Sequence, residues 1–173
     1  MTDIVLVDCF GAKLEVFDFM EKLWPHDLPL KKWPSFCGAG CGIGDLIVPD
    51  TLFFGHLHLP PACYMHDIEW ILCEPTIEAF HAANDRLRRN LKALADAQLW
   101  SPWNGIAKLL IANEYHFAVD TVWWRHFKQD AADKVTTGDP LDNPSVHDKI
   151  HRLARVALNI PGFDADGGVI AWS

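Results

Sequence analysis

Two helical patterns meet at a proline, and that junction constrains this chain more than any other feature. Pro60 and Pro61 suit the first turn of a helix, where proline's missing N–H is not needed; the pattern they open predicts a helix over about 61–73. Pro75 breaks it, and Thr76 is in place to start the next. Ile77, Phe80, Ala83, Leu87, Leu91 and Leu94 then recur at helical spacing, which predicts an amphipathic helix over about 76–98.

The chemistry sits on the first of these helices. Cys63, His66 and Trp70 share one face, because residues three and four apart are neighbours on a helix surface. Asp67 follows His66 directly and is turned from it by about 100°, so one can face a reaction centre and the other a metal ion. Upstream, Phe36-Cys37-Gly38-Ala39-Gly40-Cys41-Gly42 is a loop whose glycines let several backbone carbonyls converge, as a hard cation such as calcium requires. Loop carbonyls plus one carboxylate make a partial calcium cage. A cation held there polarises a carbonyl while a neutral imidazole takes a proton from water. That assembly hydrolyses esters.

The remaining chain reads as support. Residues 3–10 form a short strand or extended segment, and apolar residues from 14 to 23 predict a short helix ended before Pro25. Residues 36–61 are expected to be irregular, with one small hairpin. Pro102 turns a corner before a third long helix over 106–127; a loop over 136–144 and a last helix over 145–158 follow. The class is mostly α.

At 173 residues the chain suits one domain, 1–173, with a core over 36–128 and a C-terminal loop and helix over 129–173. A net charge of −8 argues against nucleic acid as a partner. Arg86, Arg88, Arg89 and Lys92 form the one basic cluster, read either as a solvated helix face or as a contact for anionic lipid headgroups. No stretch approaches the roughly 18 to 20 apolar residues that cross a membrane. Asp3 and Asp8 stand where a secretory signal carries basic residues. Five cysteines cannot all pair within one chain, so a reducing cytoplasm is the expected location. One bridge stays open if the protein leaves the cell by another route.

The glycine loop followed by Ala62-Cys63-Tyr64-Met65-His66-Asp67 resembles the calcium loop and Cys-x-x-His-Asp helix of the phospholipase A2 superfamily, particularly its small bacterial and phage-borne members. Val48-Pro49-Asp50-Thr51 and Ala83-Asn84-x-x-Leu87-x-x-x-Leu91 extend the likeness over about residues 36–94. The resemblance implies two antiparallel platform helices plus a third long helix and a calcium-binding loop. It also implies calcium-dependent hydrolysis of the sn-2 ester of glycerophospholipids at a membrane surface or micelle, with His66 activating water. The calcium ligands would be the backbone carbonyls of Phe36, Gly38 and Gly40 and the Asp67 side chain, with Asp45 or Asp50 as an added candidate. A bridge between Cys37 and Cys63 would match secreted relatives.

Two residues depart from that family's pattern. Trp70 stands where many members carry tyrosine; its indole donates a hydrogen bond but accepts none. Asn84, rather than an aspartate, meets the spacing for the residue that steadies the histidine, with Leu87 and Leu91 at the matching offsets. Asp85 is the rival carboxylate, and helix phasing turns it towards the polar side. Two other readings compete: a lipid-binding domain of the same fold without turnover, and a zinc-stabilised binding module using Cys37, Cys41, Cys63 and His66. If His66 is a general base, activity is expected to fall below the ordinary histidine pKa of about 6.5.

Overall fold

The chain begins with a β-hairpin that its turn specifies. β1 (Ile4–Cys9) and β2 (Ala12–Phe17) pair antiparallel with Cys9 opposite Ala12, leaving Phe10 and Gly11 as a two-residue connection. Both have positive φ, 53° and 86°, the conformation whose twist matches paired strands. Glycine takes it without strain. Val7, Cys9, Ala12, Leu14 and Val16 point inward at period two, while Lys13 and Asp8 pair outside at 3.1 Å. The computed structural model of the chain describes residues 3–21, 24, 28–33, 50–72 and 76–111.

The helix expected over 14–23 is therefore corrected. Residues up to Phe17 form β2, and only Asp18–Glu21 is helical (α1). The inward residues 14 and 16 of a strand run into the apolar residues of a short helix, and together they mimic a helical period. The pairing partner supplied by the Phe10–Gly11 turn decides for the strand.

β3 (Thr51–Leu52) and β4 (Leu57–His58) form the small hairpin expected within 36–61. It leads into α2 (Pro60–Leu72), followed by α3 (Ile77–Gln98) and α4 (Trp103–Leu110). The Thr76 side chain accepts from the Ala79 N–H, so α3 starts at the expected cap. α4 begins three residues before the expected 106, directly after Pro102. Most of the described residues are helical. The glycine loop 36–42, Asp45, the third helix beyond 111 and the helix expected over 145–158 lie outside the described residues.

α2 and α3 lie side by side and run in opposite directions: His66 meets Asn84, and Trp70, one turn on, meets Phe80, one turn back. Their shared face and the inner face of the β1–β2 hairpin enclose one core with Leu14, Met20, Tyr64, Met65, Ile68, Leu87, Leu91 and Leu94. Trp24, Trp33 and Tyr64 close it as a ring cluster, with centroids 5.4 to 6.5 Å apart.

Two carboxamides of α3 bind strand edges. Asn90 accepts from the Glu15 N–H at 2.8 Å and donates to the Glu15 carbonyl at 2.9 Å. Gln98 does the same for His58, at 2.8 and 3.1 Å. Each side chain imitates a neighbouring strand and satisfies backbone groups that burial would otherwise leave unpaired.

Candidate active site

His66 sits at mid-length of α2 and is 7 % exposed. Its Nε2 lies 2.9 Å from Asn84 Oδ1. An amide oxygen only accepts, so Nε2 carries the proton and Nδ1 keeps the lone pair. That is the tautomer a general base needs. Burial pulls the imidazole pKa down to about 4, only partly opposed by the Asn84 hydrogen bond. The ring is thus neutral well below the 6.5 expected from sequence, and the acid limit of any base catalysis moves down with it.

Asn84 reaches the imidazole because Phe80, Ala83, Asn84, Leu87 and Leu91 form the buried stripe of α3. Asp85 is exposed on the polar side, where its charge acts on Arg89. The structure brings Asn84 and His66 together and leaves Asp85 away from the imidazole.

Asp67 is partly buried one residue on. Burial pushes its carboxyl up to about 8, and no basic side chain among the described residues offsets this. A desolvated carboxyl with no cationic partner among the described residues suits one hard-oxygen ligand of calcium, whose charge would replace the proton. Among the described residues no three His, Cys, Asp or Glu side chains gather as a metal set, so further ligands must come from elsewhere. Phe36, Gly38 and Gly40 are outside the described residues.

Cys63, one turn before His66, is disulfide-bonded, and its partner lies outside the described residues. A disulfide, which the sequence left open, is thus present at Cys63. Cys63 therefore offers no thiolate, and the zinc set loses a ligand. Cys9 is free and buried, with its thiol pushed up to about 12 by burial and then by the Asp8 charge.

Two contacts between helices, Trp70 with Phe80 and Glu69 with Arg86, escaped the sequence reading. Trp70 lies against His66 itself, with ring centroids 4.4 Å apart at 54°, and against Phe80 at 5.6 Å on α3. The spacing i, i+4 signalled the first contact; only helix packing supplies the second. Beside this stack, Glu69 is 3 % exposed and takes the Arg86 Nε at 2.9 and 3.1 Å. Burial raises the Glu69 pKa and Arg86 opposes it. Arg86 also approaches Glu15 at 3.6 Å, and Glu15 binds Arg89 through two 2.8 Å contacts. Two of the four residues in the basic cluster are thus committed to carboxylates. His56 is exposed and His58 partly buried on the β3–β4 hairpin, in keeping with a surface loop.

Compared with known proteins, the chain matches no family model, no curated protein and no solved structure.

Proposed function

We propose that the chain is a calcium-dependent phospholipase A2-like hydrolase acting on the sn-2 ester of glycerophospholipids. The observation that carries this reading is the 2.9 Å contact between His66 and Asn84 across two antiparallel helices, with Asp67 beside it. A neutral imidazole held at one nitrogen keeps a lone pair on the other, as a base acting on water requires.

In this reading Nδ1 of His66 takes a proton from water as the water oxygen attacks the ester carbonyl carbon. Asn84 holds the opposite nitrogen, so the ring keeps its tautomer and direction. The imidazolium then returns the proton to the departing glycerol oxygen as the C–O bond breaks, giving a fatty acid and a lysophospholipid. Asp67 and the carbonyls of Phe36, Gly38 and Gly40 would hold calcium, which when bound supplies positive charge for the phosphate and the developing oxyanion. A disulfide at Cys63 favours work in an oxidising compartment over the cytoplasm. No helix among the described residues is long and apolar enough to cross a membrane.

A second reading, lipid binding without turnover, draws on Asn84, which brings no countercharge to the imidazole. Phosphatidylcholine vesicles separate the two. The hydrolase releases fatty acid with calcium, stops in EDTA, and loses at least about 10²-fold in His66→Ala, the usual worth of a general base. Vesicle binding without release supports the second reading. Release that ignores EDTA, or survives His66→Ala, ends the first.

A further inference from the structure

We infer that Trp70 is a positioning residue whose indole face supports the positive charge His66 gains in the reaction. The inference rests on the hydrolase reading and deepens it. A base that accepts a proton becomes a cation, and in this site the group on its far nitrogen is a neutral amide, 2.9 Å away. The nearest described ring is Trp70, with its centroid 4.4 Å from that of the imidazole. Cations within about 6 Å of an aromatic centroid are attracted by the negative face of the ring, tryptophan most strongly, and more so away from water. His66 is buried, so the attraction acts where water screens it least.

Trp70 is four residues after His66 on α2, and Phe80 of α3 packs against it at 5.6 Å and 36°. Phe80 is fully buried, and Asn84 lies one turn further along the same face of α3. One pair of helix turns therefore holds the imidazole from two directions, amide at the nitrogen and indole at the ring. Trp70 touches neither water nor ester in this scheme; it acts through His66.

The test uses the full chain with calcium and phosphatidylcholine vesicles. Trp70→Phe keeps an aromatic face and is expected to stay within about threefold of the parent kcat, while Trp70→Leu loses about tenfold in kcat with KM unchanged. Because Trp70→Leu could act through folding, 5,7-difluorotryptophan placed at position 70 alone is the decisive variant. It preserves shape and drains the ring face, so kcat is expected to fall severalfold, whereas a packing role predicts no change. Alkylation of His66 by bromoacetophenone, followed by peptide mapping, gives a readout independent of hydrolysis, since the ring gains positive charge as its Nδ1 displaces bromide and the C–N bond forms. The rate is expected to fall in the same order: parent, Trp70→Phe, difluoro variant. An active parent with equal kcat in the difluoro variant overturns the inference and leaves the hydrolase reading intact. A parent without hydrolysis ends that reading, and equal alkylation rates then end this one.

Discussion

Position 84 separates two tasks that a carboxylate beside a histidine performs together. The amide oxygen fixes which imidazole nitrogen holds the proton, yet adds no negative charge when the ring becomes positive. In the serine-hydrolase triad an Asp-to-Asn exchange costs about 10⁴-fold, largely through the wrong tautomer. Here the observed contact is compatible with the right tautomer, so the expected penalty is smaller and confined to charge. Asn84→Asp is accordingly expected to raise turnover at least about tenfold, with Asn84→Ala lowering it and Asp85→Ala leaving it near the parent. Rates for the three variants on one vesicle substrate decide this. Loss in Asp85→Ala with full activity in Asn84→Ala would reverse the assignment.

At the scale of elements, the contacts that join α2, α3 and β2 are polar but unequal. Glu69 is buried with Arg86 as its partner, whereas Arg89 meets Glu15 at the surface, 52 % and 27 % exposed. Removing one partner of a buried pair strands a charge and costs about 3–5 kcal/mol. Exposed pairs contribute about 0–1 kcal/mol. Arg86 also lays its guanidinium over the Phe17 ring at 5.5 Å, so it links the hairpin to the helix pair by packing as well as charge. Arg86→Met is therefore expected to lose about 3 kcal/mol and Arg89→Met less than about 1 kcal/mol in urea unfolding at neutral pH. Comparable losses in the two variants would show that Glu69 finds water or another partner once Arg86 is gone.

For the whole molecule, the two described cysteines report different things. Cys63 ties the site helix by a disulfide, and Cys9 lies inside the hairpin face of the core, free and 3 % exposed. Reduction is expected to cost about 2–4 kcal/mol, the usual range for a native bridge, and to lower Tm. Cys9 should resist thiol reagents in the native protein and react only as the core opens. Maleimide labelling followed through thermal unfolding, with and without dithiothreitol, checks both. Rapid labelling of Cys9 below the unfolding transition would mean that the β1–β2 hairpin opens independently of the helix pair.

The residues themselves determined the helix pair and its phase. Pro60 and Pro61 opened α2, Thr76 capped α3, and the period of Phe80, Ala83, Leu87 and Leu91 turned Asn84 inward, all from local geometry and burial. The same local logic misread 14–23. A short apolar run has no unique period, and pairing with β1 across the Phe10–Gly11 turn fixed it as a strand. What only the tertiary structure decided are contacts between residues far apart in the chain: Asn90 on the edge of β2, Glu69 with Arg86, and Phe80 against Trp70. Periodicity says which face of a helix is buried, but not which side chain will lie opposite. That depends on how two helices settle against each other, and here it gives His66 a neutral amide at one nitrogen and an indole against its ring.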